Sequence, residues 1–249
     1  MESLRKAFDV LEVFLAHDGE ASLSEIADAT KLNISTIHGI LSYMRERGYI
    51  SHKDKRGKYT LGYKCLEYGD VILKNMPISD IAMPHMKELN QITHETVSLV
   101  MFFDNIAVVL VRVESNHDLR VSGLSERLVP LHCTGLGKVL LAYKPEEYWE
   151  QYLSDKAMTA HTPYTITSLD ELKKQLREVK LKGYGMDNQE TGLGIINIAA
   201  PVRSRNGEVI AALGILGPTV RINKANMKEM ISSVITSANK ISRDLGYRG

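Results

Sequence analysis

Leu4, Ala7, Phe8, Leu11, Phe14 and Leu15 recur at the three-to-four-residue spacing of a helix, which predicts a first helix ending near Asp18-Gly19. Ser22 followed by Glu25 is a capping-box pair, so a second, short helix starts there and turns Leu23, Ile26 and Ala27 inward. Lys31-Leu32-Asn33 interrupts the pattern. Asn33 can cap a third helix whose buried side is Ile34, Ile37, Ile40, Leu41 and Met44, and Gly48 ends it. Tyr49–Ser51 and Tyr59–Leu61 read as two short strands around a charged, glycine-containing turn, Lys53 to Lys58. A helical stretch over Tyr63–Asn75 follows, stopped by Pro77. Cys65 lies on it and reads as a small buried residue.

After Ile78 the pattern alternates between the two periods. Helices are expected over Ile78–Thr93, Gly135–Tyr143, Leu169–Gly183 and Lys224–Leu245. β-branched and apolar runs predict strands at Thr96–Phe103, Ala107–Glu114, Ile195–Val202 and Val209–Leu216. Asp104-Asn105 and the polar segment Arg203 to Gly207 are the turns between them. The chain thus divides into a head at 1–62, a linker helix at 63–77 and a mixed sensor-like domain at 78–249, large enough for its own core. The fold class is α+β.

Composition changes this picture little. Hydrophobic content of 44% and charged content of 24% describe an ordinary globular chain. No apolar run is long enough to span a bilayer, and no secretion signal is expected. Two cysteines, Cys65 and Cys133, are too few for a disulfide framework or a structural zinc cluster and suit a reducing cytoplasm. Charge changes it more. The net charge is only +1, but 1–30 carries a net −5 and 31–64 a net +6. The basic residues there are Lys31, Arg45, Arg47, Lys53, Lys55, Arg56, Lys58 and Lys64. A local basic face, not whole-chain charge, is what phosphate contact needs, although a solvated basic surface would read the same.

A helix followed by a turn, a second helix and a basic hairpin is the arrangement of a winged helix-turn-helix, whose second helix enters the major groove. The exposed start of that helix holds Ser35, Thr36 and His38, side chains that reach base edges. Asn33 and the first-turn amides can hold a phosphate. Lys53, Lys55, Arg56 and Lys58 sit where a wing would follow the backbone or minor groove.

Leu32 to His38, then Gly48-Tyr49-Ile50 and Lys58 to Gly62, resemble the DNA-binding half of the IclR family of bacterial regulators. In the second half, Val129 to Lys138, Gly183 to Asp187, Glu190, Gly192, Ala199 to Val202, Gly207 and Gly217-Pro218 resemble the same family in the same order. The resemblance implies a winged helix-turn-helix, a linker helix and a GAF-like α/β effector-binding domain. It implies a homodimer or homotetramer on near-palindromic double-stranded operator DNA, with repression as the sign of regulation. Gly39 stands where the family commonly carries arginine.

The resemblance also implies an effector site at Gly135, Leu136, Asp187, Asn197, Gly214 and Leu216. The chemistry suits a small carboxylate: amides at the start of the Gly135 helix hold the acid, Asp187 accepts from a hydroxyl, and Asn197 offers donor and acceptor. Asn197 replaces the family's usual cysteine, and Gly214 and Leu216 stand where small hydroxyl residues are frequent. Fewer hydroxyls and an added leucine suit a ligand with an apolar part, or a site reshaped by water. Gly214 and Leu216 could equally be strand-packing residues, and Asp187 a turn cap. A ligand-binding module acting through protein contacts, without DNA, is the alternative function.

Enzyme readings are weaker. Cys133 beside His132 could be a nucleophile and base, but neighbours on a strand point to opposite faces. The glycines around Lys138 lack the spacing and the Ser/Thr of a phosphate loop, and Gly192-Leu193-Gly194 lacks the third glycine of a dinucleotide fingerprint. The eight histidines show no helical i, i+4 pair. No cofactor, metal site or membrane partner is expected.

Overall fold

The computed structural model describes residues 2–17, 19–52, 57–74, 77–103, 106–118, 121, 128–155 and 158–249, in two compact units that divide between Pro77 and Ile78. The first unit contains α1 (Glu2–Ala16), β1 (Glu20–Ser22), α2 (Leu23–Thr30), α3 (Ile34–Glu46), β2 (Ile50–His52), β3 (Lys58–Leu61) and α4 (Tyr63–Lys74). Val10, Val13, Phe14, Ile26, Ile37, Leu41, Ile50 and Tyr59 form its core. The capping box at α2 is complete: Ser22 accepts from the Glu25 amide, and Glu25 accepts from the Ser22 amide at 2.7 Å. β1 is an addition to the sequence expectation. Its three residues pair with β3, giving a three-stranded sheet of order β1-β3-β2. Gly48 has φ +78°, and a Cβ on Gly62 would lie 2.1 Å from the Gly48 carbonyl oxygen. The chain enters α4 only because both positions lack a side chain.

The apolar stripe expected to bury α1 is split. Phe14 joins the core, but Leu4, Phe8 and Leu15 are 59, 55 and 75% exposed. Spacing identifies a helical face, whereas burial depends on what packs against it; the inward face of α1 is Val10, Val13 and Phe14. Leu4, Ala7, Phe8 and Leu11 instead border an apolar groove of about 590 Å³ with Ile40, Tyr43 and Met44 of α3.

The second unit contains α5 (Ile78–Thr93), β4 (Thr96–Phe103), β5 (Ile106–Val113), α6 (Gly135–Ala142), α7 (Glu146–Asp155), α8 (Leu169–Lys182), β6 (Gly185–Asn188), β7 (Ile195–Arg203), β8 (Val209–Pro218) and α9 (Met227–Asp244). Its sheet has the order β5-β4-β8-β7-β6, antiparallel throughout. Every residue from Ile196 to Val202 is buried, so both faces of β7 are covered. α5 and α9 pack together on the sheet, and α6 packs on β7, β8 and α8. Every residue of α6 is buried. α7 and β6 were absent from the expectation. α7 supplies Trp149, fully buried, whose indole N–H donates to the Leu141 carbonyl at 2.7 Å. The turn at Asp104-Asn105 lies outside the described residues.

Candidate functional site

In the first unit, Ile37 and Leu41 anchor α3 in the core, and the opposite side of its first two turns stays outside. Asn33 Oδ1 accepts from the Thr36 amide at 2.8 Å and from the Ser35 hydroxyl at 2.9 Å. The asparagine therefore caps α3, satisfying an amide the helix itself leaves unpaired. Ser35 and His38 are exposed and Thr36 is half-buried. Lys58 is exposed at the start of β3, in register with Ser22. Lys53, Lys55 and Arg56 lie outside the described residues. The described surface is thus a capped helix start carrying hydroxyl and imidazole groups.

In the second unit, the six expected effector positions meet where the start of α6 lies on the sheet. Asp187 pairs with Asn197, Asn197 with Leu216, and Ala199 with both Gly185 and Gly214. A Cβ on Gly135 would come 2.8 Å from the Asn197 carbonyl oxygen, and one on Gly214 would come 3.0 Å from the Leu136 side chain. Close packing of α6 on the strands requires these two glycines. The polar groups at this junction are engaged within the chain. Asn197 Oδ1 accepts from the Leu136 amide at 3.0 Å, and its Nδ2 donates to the Ile215 carbonyl at 2.7 Å. Thr134 Oγ1 accepts from the Gly137 amide at 2.8 Å. Two of the α6 amides expected to hold an acid thus have partners in this conformation.

Asp187 is fully buried and accepts from the Glu190 amide at 2.6 Å, the Thr191 amide at 3.4 Å and the Thr191 hydroxyl. It closes the 187–191 turn. Burial pushes its carboxyl above the usual range, against the hydrogen bonds from Thr191 and Glu190.

Two further residues belong to this junction. Lys138, fully buried within α6, pairs with Glu190 and also donates to Gln175 Oε1 at 2.7 Å and to the Met186 carbonyl at 3.2 Å. Glu190 Oε2 is buried with no hydrogen-bond partner among the described residues. A lysine inside an otherwise apolar helix was the available signal, because a fully buried lysine requires a counter-charge.

His132 and Cys133 occupy the turn before α6, not a strand, so the opposite-face argument against them does not hold. Nucleophilic chemistry is opposed for another reason. Burial, with the charges of Asp187 and Glu190, pushes the Cys133 thiol up to about 12, which keeps it protonated.

Two family models cover most of the chain: the IclR helix-turn-helix domain over residues 3–54 and the bacterial transcriptional regulator IclR C-terminal domain over 71–243. The chain is 34% identical over 247 residues to the HTH-type transcriptional regulator KdgR of Dickeya chrysanthemi, covering 99% of this chain and 81% of that one. It is 29% identical over 251 residues to the transcriptional repressor IclR of Escherichia coli, covering 100% and 91%. A crystal structure of an IclR homolog from Microbacterium hydrocarbonoxydans, complexed with 4-hydroxybenzoate, superposes with TM-score 0.83 at 27% identity over 98% of both chains.

Proposed function

This chain belongs to the IclR family of bacterial transcriptional regulators and is a DNA-binding regulator rather than an enzyme, and from that premise we propose that it represses its target genes under control of a small carboxylate. The observation that carries the DNA-reading role is the exposed start of α3, where Ser35 and His38 are free of core packing while Ile37 and Leu41 fix the helix. Ser35, Thr36 and His38 contact base edges. Lys58, with Lys53, Lys55 and Arg56, contacts phosphates. Asn33 sets the register of the helix through its cap. The division into a head at 1–62, a linker at 63–77 and a sensor at 78–249 follows. No described helix is long and apolar enough to cross a membrane. As a regulator of transcription, the protein works on DNA in the cytoplasm.

Two copies pair through the apolar groove of α1 and α3. Burying Leu4, Phe8 and Tyr43 against a second copy removes exposed apolar surface and sets two α3 helices on successive half-sites, about 34 Å apart. The effector binds around Gly135, Leu136, Asp187, Asn197, Gly214 and Leu216. A relative complexed with 4-hydroxybenzoate, a carboxylic acid with an apolar ring, supports that ligand class. Because the Leu136 and Gly137 amides already have partners, the ligand gains them only by displacing Asn197 or Thr134. That displacement couples binding to a rearrangement, worth about 1–3 kcal/mol of operator affinity.

The test is fluorescence anisotropy of the full chain on the DNA upstream of its own gene, across a salt series, with unrelated DNA as competitor and with small carboxylic acids added. The expected result is specific binding with a steep salt dependence, changed about 5–150-fold by one acid. Equal affinity for both DNAs under all these conditions would contradict the reading and favour a sensor that acts through protein contacts.

A further inference from the structure

His132, Cys133 and His161 each offer one ligand atom, and those three atoms lie within 4.8 Å of one another. A point therefore exists within about 2.8 Å of all three, and zinc-class bonds of about 2.0–2.3 Å close around it with sub-ångström shifts. His132 and Cys133 are adjacent in the turn before α6, and His161 approaches from the segment that precedes α8. Thr162 and Thr165 hold that segment in place through hydroxyl bonds to the Gln189 and Glu190 carbonyls, at 2.7 and 2.5 Å.

The His132 tautomer leaves one ring nitrogen free for a metal. His132 Nε2 lies 3.0 Å from the Thr159 carbonyl. A carbonyl only accepts, so Nε2 carries the proton and Nδ1 keeps its lone pair. A backbone carbonyl is one of the outer partners that metal-bound histidines keep on their other ring nitrogen. The His132 and His161 rings are stacked, with centroids 6.1 Å apart and planes at 25°. His161 is exposed whereas His132 and Cys133 are buried, which gives an ion an entry side from solvent.

We propose that His132, Cys133 and His161 form a binding site for one zinc-class divalent ion per chain, with a fourth coordination position open. Two imidazole nitrogens and a thiolate select a borderline-soft metal over magnesium or calcium. Three protein ligands leave a position for water or an anionic oxygen. Binding releases the thiol proton and ties the segment around His161 to the turn before α6. The site stands independently of the regulator reading and is testable without operator or effector.

The experiment titrates chelator-treated full-length protein with Co²⁺, whose bond to a thiolate gives a near-ultraviolet charge-transfer band, and then with Zn²⁺. The expected result is one Co²⁺ per chain, a thiolate band, and displacement by one equivalent of Zn²⁺. Cys133→Ser should abolish the band. His161→Gln, at an exposed position, should leave the near-ultraviolet circular dichroism intact and weaken binding at least about ten-fold. Binding without a thiolate band, or undiminished binding by folded His161→Gln, would overturn the proposal.

Discussion

Ser35 and His38 stand exposed on α3, while Asp187, Asn197 and Lys138 are 0, 1 and 0% exposed around α6. The head keeps its reading side chains outside the packing that holds their helix. The sensor domain builds its candidate site out of groups that also hold the domain together. Asn197 both holds a first-turn amide of α6 and bonds β8, and Asp187 both lines the junction and closes a turn. Substitutions in the head therefore report on recognition with the fold intact. Substitutions in the sensor report first on stability, and an altered ligand response there needs a folding measurement beside it.

The largest effect on folding should come from Lys138→Met, which leaves the Glu190 carboxylate buried without its counter-charge. Chemical denaturation should show a loss of about 3–5 kcal/mol, and adding Glu190→Leu should recover most of it. A loss below about 1 kcal/mol would mean that water reaches the pair. Asn197→Ala strands the Leu136 amide and the Ile215 carbonyl, and about 1–3 kcal/mol should be lost in the same assay.

A smaller effect concerns pH. Burial raises the Asp187 and Glu190 carboxyls above their unfolded values. The native chain then holds more protons than the unfolded one between the two values. The stability these groups contribute is full below the unfolded pKa and is lost as pH rises through the folded one. Asp187→Asn should flatten that fall in unfolding free energy, measured from the ordinary carboxylate range upward. An unchanged slope would assign the titration to Glu190 or to other groups.

Much of the head was legible because its signals are local. The Ser22–Glu25 box and the Asn33 cap act over three residues, and both form as their spacing implies. β1 was not legible, since three residues carry no period, and its partner β3 lies across the head. β6, Gly-Met-Asp-Asn, has weak strand propensity and exists through its pairing with β7. The outward stripe of α1 shows the same limit: spacing gives the apolar positions but not which of them the chain's own core covers.

In the sensor domain, the resemblance supplied positions that the structure does bring together, and the residues alone did not reveal how those positions are satisfied. Asn197 meets Leu136 across 61 residues, and Glu190 meets Lys138 across 52. The grouping of His132 and Cys133 with His161 has the same origin, a contact across 28 residues of chain that include α6 and α7, and no helical spacing announces it.

The most direct test of the account is a paired measurement on His38→Ala: its unfolding free energy, and its affinity for the operator against singly mutated operators. The account predicts stability within about 0.5 kcal/mol of the parent, with discrimination at one or two base pairs reduced by about 1–3 kcal/mol. Unchanged stability with unchanged discrimination at every base pair would contradict the placement of α3 as the reading helix.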